Sequence, residues 1–238
     1  MKNLKYACAV SVLALVSSPS LAQLSANVGI ANNYLWRGLT QSNNEAAVSG
    51  GLDFAAENGF YAGTWVSNVE YASDDTYSYE HDVYFGYSGG DELTYDVGWL
   101  YYNYDDINNF DFHEVYGSLG WGDFSVTAYL LTGTESKELD FRPNADFGAG
   151  KTTYLSLDYG FELENGVGVT LHAGRHDGDF SEAFNGVPGA YSDYSVSFAI
   201  DNFTFTISDT DLSDAGPTDN LDNDEMKFVV SYSMDFDL

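Results

Sequence analysis

The feature that most constrains this chain is a strict alternation of short and long connections between segments of period-two hydrophobicity. Twelve such segments can be drawn, at approximately 24–37, 46–56, 60–69, 79–88, 93–104, 112–121, 124–133, 152–162, 167–176, 190–200, 203–210 and 224–237. Along 93–101, Leu93, Tyr95, Val97, Trp99 and Tyr101 share one face, and Thr94, Asp96, Gly98 and Leu100 share the other. Phe203, Phe205 and Ile207 likewise alternate with Thr204, Thr206 and Ser208. Successive side chains of a strand point to opposite faces, so the pattern predicts strands with one apolar and one polar side. No amphipathic helix is expected.

Tight turns fall at Glu57-Asn58-Gly59, Gly89-Gly90-Asp91-Glu92, Gly122-Asp123, Glu164-Asn165-Gly166 and Asp201-Asn202. They carry the Gly, Asn and Asp that tolerate the positive φ of short hairpins. Between them lie longer polar stretches at 38–45, 70–78, 105–111, 134–151, 177–189 and 211–223. A Greek-key sandwich has no reason to collect its tight turns on one side. An up-and-down transmembrane barrel does, with short periplasmic turns and long outer loops. The expected fold is therefore all-β, a transmembrane up-and-down antiparallel β-barrel of about twelve strands. Phe228, Val230, Tyr232, Met234, Phe236 and Leu238 alternate to the last residue, similar to the C-terminal insertion signal of outer-membrane barrels.

The first 22 residues read as a cleaved leader. Lys2 and Lys5 precede an apolar run from Ala7 to Val16, and Ser20-Leu21-Ala22 offers small residues at a cleavage site. That run is too short for a spanning helix, which needs about 20 residues. Residues 23–238 are expected to form a single barrel domain without cysteine, since Cys8 leaves with the leader. This part carries six basic residues against all 37 acidic ones, a formal charge of −31. Nucleic-acid binding, which needs basic residues to neutralise phosphate, is excluded by that balance. No cofactor and no catalysis are expected. His81 and His113 read as lipid-facing near the outer rim, His172 as inward and His176 as sitting at a loop edge. None of them accompanies a serine nucleophile and an orienting acid.

Three stretches carry a resemblance. They are Asn33-Tyr34-Leu35-Trp36-Arg37-Gly38-Leu39-Thr40-Gln41-Ser42, Gly50-Gly51-Leu52-Asp53-Phe54, and Gly59-Phe60-Tyr61-Ala62-Gly63-Thr64-Trp65-Val66-Ser67-Asn68. They resemble the TorF-type porin family of Gram-negative bacteria, the Gcw_chp group of uncharacterised bacterial outer-membrane proteins. The likeness is dense over about 24–70 and rests further on mainly on spacing, acidic loops and the Ser-Tyr-Ser-Met-Asp-Phe-Asp-Leu ending. It implies a location in the bacterial cell outer membrane and a porin role, without a substrate.

If the apolar strand faces meet lipid, the other faces line a lumen. The lumen-lining set on that register is Arg37, Asp53, Asp82, Asp96, Glu114, Asp158, His172, Asp193 and Lys227, with Glu162 and Asp235 near the periplasmic mouth. Arg37 on the first strand and Lys227 on the last would form a basic seam facing an acidic wall. Such a field favours cations. The expected role is passive diffusion of small hydrophilic solutes with a mild cation preference. The alternative is a plugged, non-conducting structural or surface-binding barrel whose charges pair with one another. Expected partners are outer-membrane lipid, lipopolysaccharide and the solutes. Divalent cations at Ser73-Asp74-Asp75, Asp105-Asp106 or the 219–224 run are a weaker expectation, and Lys137, Arg142 and Lys151 could fold inward or contact lipid phosphates.

Overall fold

The computed structural model describes residues 23–71, 78–104, 110–136, 144–213 and 221–238. The leader at 1–22 lies outside them, as do Ser73-Asp74-Asp75, Asp105-Asp106, Lys137, Arg142 and the first part of the 219–224 run. Twelve strands form one closed antiparallel barrel. They are β1 (Gln23–Ala31), β4 (Ala47–Ala55), β5 (Phe60–Asn68), β6 (Tyr79–Gly90), β7 (Leu93–Tyr104) and β8 (Phe112–Trp121), then β9 (Phe124–Thr134), β10 (Thr153–Glu162), β11 (Gly168–Asp177), β12 (Ala190–Ile200), β13 (Phe203–Thr210) and β14 (Lys227–Asp237). Each pairs with its sequence neighbours, and β1 pairs with both β4 and β14 to close the sheet, as in Ile30↔Tyr232 and Ile30↔Val48. Closure leaves no edge strand, so every ladder is satisfied without water.

The five tight turns sit at one end of the barrel. Gly59, Gly90, Gly122 and Gly166 take positive φ there, and so does Asp201. The outward face is apolar on every side: Leu52, Phe85, Val97, Leu119, Leu157, Leu171, Phe205 and Val230 are all exposed. A soluble protein rarely exposes contiguous apolar patches beyond a few hundred Å². In a bilayer this belt is the ordinary outer surface. Near the tight turns it ends in aromatic residues, with Tyr87 stacked on Tyr95, Phe124 against Tyr159 and Phe203 against Tyr232. Trp121, the most exposed at 71%, belongs to the same girdle. His81 and His113 lie on this outer face, bonded to Thr64 and Thr132 respectively.

Two segments depart from the sequence expectation. The first strand was expected to run to residue 37, but β1 ends at Ala31 and the chain turns into the barrel. There it makes a separate two-stranded hairpin, β2 (Leu35–Trp36) and β3 (Leu39–Thr40), which pairs with no barrel strand. Within the stretch 177–189 a seven-residue helix, α1 (Asp179–Asn185), forms where no helix was expected. It ends on Gly186 in the left-handed conformation, a common helix stop. Its Phe180 is buried, and Phe184 packs against the same core.

Candidate functional site

The interior divides into two halves. Toward the long loops it is packed with aromatic side chains from the wall, the hairpin and α1. Trp36 meets Tyr102, Phe112, Phe184 and His176 edge-on at ring-centroid separations of 5.4–6.1 Å. Phe112 stacks on Tyr102 at 4.2 Å and also touches Phe180 and Phe184. Aromatic pairs in such geometries contribute about 0.5–1.5 kcal/mol beyond their area.

Arg37 stands at the hairpin tip, at φ 51, followed by Gly38 at φ 83. Gly38 is required twice over, because a Cβ there would also lie 2.6 Å from the Cβ of Asp193. The guanidinium donates from Nη1 to Glu114 Oε1 at 3.1 Å and from Nη2 to Glu114 Oε2 at 2.6 Å. It also donates to His176 Nε2 at 3.1 Å. Its plane is caged by the rings of Trp36 at 4.2 Å, Tyr154 at 4.4 Å and Tyr129 at 5.0 Å. Both charged side chains are almost inaccessible, at 5% and 2%. A bulge sets Glu114 in place: the β8–β9 register slips between His113, which faces Gly133, and Glu114, which faces Leu131. Bulges of this kind re-aim a side chain beside functional sites. Tyr102 completes the carboxylate's shell by donating to Oε2 at 3.1 Å, and Tyr191 donates to the Arg37 carbonyl at 3.0 Å.

Lower in the barrel, tyrosines bridge to carboxylates across glycines. Tyr84 on β6 donates to Asp53 on β4 by lying over Gly63 of the intervening strand, and the register places Asp53, Gly63 and Tyr84 in one row. Tyr61 and Tyr116 approach from opposite sides over Gly86 and Gly98, hydrogen-bond one another and share Asp96. Tyr154 crosses Gly174 to reach Asp193 at 3.1 Å. His172 bridges two carboxylates, with Nδ1 2.7 Å from Asp158 and Nε2 2.9 Å from Asp193.

Each residue expected in the lumen can now be placed. Asp53, Asp82, Glu114, Asp193 and Lys227 are buried, Asp96, Asp158 and His172 are half-buried, and the Arg37 side chain is buried. The expected basic seam does not form. Arg37 is off β1 and reaches Glu114 on β8, while Lys227 on β14 donates to the Leu221 carbonyl at 2.8 Å. Glu80, not among the expected residues, is buried beside Asp82 and accepts from Tyr34 at 3.1 Å, and His176, expected at a loop edge, is instead on β11 and fully buried against Arg37. Glu80 shares the inward period-two face with Asp82, a signal that was present; His176 had none beyond its strand parity. Outside the strands, Asp146 is held below the usual carboxylate range by the Gly148 N–H and by Lys151, whose Nζ lies 3.3 Å away. Lys151 is thus an exposed surface residue.

A family model described as "bacterial protein of unknown function (Gcw_chp)" matches residues 16–225, which is most of the chain. The chain belongs to the Gcw_chp family. None of the curated proteins matches the chain. Among solved structures, the barrel is similar to one titled "KdgM porin", with a TM-score of 0.51 and 9% identity over 90% of this chain and 99% of that one. OccD3 (OpdP) of Pseudomonas aeruginosa matches with a TM-score of 0.43 and 11% identity, over 91% of this chain and 65% of that one. OccAB2 of Acinetobacter baumannii matches with a TM-score of 0.39 and 12% identity, over 81% of this chain and 55% of that one. This Gcw_chp protein thus spans roughly the whole of the first and less than two thirds of the other two. Its fold is that of an outer-membrane β-barrel.

Proposed function

We propose that this protein is a porin-like channel of the TorF type, allowing passive diffusion of small hydrophilic solutes across the outer membrane with a mild preference for cations. The observation that carries this reading is the imbalance of interior charge. Asp53, Asp96, Glu114, Asp158 and Asp193 point away from the apolar belt, as does the buried Glu80–Asp82 pair; against them stand Lys227, His172 between Asp158 and Asp193, and Arg37, which is held by Glu114. Carboxylates on low-dielectric walls concentrate counter-ions and repel anions. A twelve-strand barrel lies between small packed barrels and wide porins, which suits a narrow pore. The belt would contact outer-membrane lipid, and exposed loop acids would meet lipopolysaccharide, with divalent cations as bridges.

A second reading is a non-conducting structural or surface-binding barrel. It is favoured by the packing of Trp36, Phe112, Phe180 and Phe184 across the long-loop half. No catalytic role is assigned; His172 bridges Asp158 and Asp193, and His176 meets Arg37. Recording from the refolded protein in a planar bilayer under a potassium chloride gradient tests both. The expected result is discrete conductance with a reversal potential of cationic sign. Clear anion preference would remove the cation assignment, and silence at all voltages would favour the second reading.

A further inference from the structure

We propose that the β2–β3 hairpin is a gate within the barrel, latched closed by Arg37 on Glu114 and released toward the long-loop end as one piece. The gating consequence rests on the channel reading above; the mechanical one does not.

The wall does not need the hairpin. β1 closes directly onto β4 and β14, and β2 and β3 pair as strands only with each other, so unseating them breaks no barrel ladder. The ends of the segment are fixed. Asn32 is tied into β14 by its Nδ2 donating to the Phe228 carbonyl at 3.0 Å and its Oδ1 accepting from the Val230 N–H at 2.7 Å. At the other end the chain joins β4 at Ala47. Between these anchors the segment is braced to itself. Thr40 Oγ1 donates to Asn33 Oδ1 at 2.7 Å, the Gln41 N–H donates to the Tyr34 carbonyl at 2.7 Å, and Ser42 Oγ donates to the Glu45 carbonyl at 2.7 Å. The ties beyond these anchors go to loop segments rather than to barrel ladders: the Glu70 N–H donates to the Gln41 carbonyl at 2.9 Å, Tyr71 to Gln41 Oε1 at 2.9 Å, and Asn44 Nδ2 to the Leu221 carbonyl at 2.8 Å. A unit braced internally in this way moves as a body once they release.

The backbone of this unit turns sharply, and at Arg37 it is strained, because asparagine tolerates the left-handed region and arginine does not. Arg37, Asn43 and Asn44 are three of the five positive-φ residues other than glycine among the described residues. Arginine gains nothing in that region, and such conformations persist where surroundings over-determine them. What over-determines this one is the cage around the guanidinium. The remaining contacts of the hairpin are the aromatic packing of Tyr34 on Trp65 and of Trp36 on Tyr102 and Phe112, and neutral or singly charged hydrogen bonds, among them Tyr34 to Glu80, Thr40 N–H to Asn223 and Tyr191 to the Arg37 carbonyl. Arg37–Glu114 is the ionic contact between hairpin and wall among the described residues. Removing one partner of a buried pair leaves the other desolvated and uncompensated. The hairpin can relieve that by carrying Arg37 out to water, which makes the latch two-state.

The test places a reporter thiol at Leu39, which is 1% exposed on the hairpin. In a Cys8→Ser background, which removes the chain's other cysteine, Leu39→Cys is reacted with a membrane-impermeant maleimide after refolding into liposomes. Glu114→Gln should raise the labelling rate about tenfold or more, a ratio equivalent to about 1.4 kcal/mol. Arg37→Lys, which keeps the charge but loses the two-pronged geometry, should raise it several-fold and serves if Glu114→Gln does not fold. Labelling unchanged in a folded variant overturns the latch. Bilayer recordings on the same variants separate the two claims: faster labelling with higher open probability supports both. Faster labelling with silence in every variant keeps the moving hairpin and removes the channel.

Discussion

The two halves of the interior are built by different means from the same alternating strands. The lower half is wall only: Tyr84 to Asp53, and Tyr61 and Tyr116 to Asp96, all belong to barrel strands a few positions apart in the sheet. The upper half depends on inserted pieces, because Trp36, Arg37, Phe180 and Phe184 come from a hairpin and a helix that join no barrel ladder. The difference teaches where tolerance lies. An inserted piece can be moved or lost while the barrel stays closed, whereas a row built into the wall fails with the wall.

The sharpest way to break this comparison is at the centre of the upper half. Phe112→Ala should cost about 3–5 kcal/mol, because it empties a site packed by Tyr102, Phe180 and Phe184. Urea unfolding in lipid vesicles would measure it. A loss near zero would mean that the upper packing adds nothing to the barrel. Next comes the lower half. Gly63→Ala would place a Cβ 2.5 Å from the Tyr84 ring, and the overpacking should cost about 1–3 kcal/mol in the same assay. Tyr84→Phe removes only the hydroxyl and so the bond to Asp53, for a loss of about 1 kcal/mol. Its effect should be absent in a protein already carrying Asp53→Ala, which leaves no side-chain acceptor, if the pair acts as a unit. The smallest effect is expected outside both halves. Arg175 and Asp211 are about half exposed and 3.5 Å apart, so Arg175→Met should cost less than about 1 kcal/mol, and less again at high salt.

The barrel was legible because its cause is local. Period-two patterning and turn residues act over a few positions, and they located the strands and the five tight turns close to where they lie. The same patterning misled at residues 32–37. Tyr34 and Trp36 continue the alternation of β1, yet they are buried against the hairpin's neighbours rather than exposed on the belt. Period two registers that one face prefers to leave water, and it does not say whether that face meets lipid or another aromatic ring. The helix was missed because seven residues are too few for periodicity to declare, although Phe180 and Phe184 are spaced for one helical face. The partner of Arg37 lies 77 positions away, beyond anything that local pattern reports.

The tyrosines laid over glycines have one more consequence. Each reaches sideways across a strand to a carboxylate or another tyrosine, so the links run around the circumference rather than along the chain. Tyr84–Asp53 ties β4 to β6, and Tyr61–Tyr116 ties β5 to β8, so the two overlap like hoops on a cask. Hydrogen-bonded ladders fix the register of each strand against its immediate neighbours. Links that skip a strand add a restraint between strands that share no ladder, and they do so with rings pressed flat against the staves. Strand number sets the girth of the barrel, and the places where glycine leaves room for a ring to lie down decide where this half of it is braced against flattening.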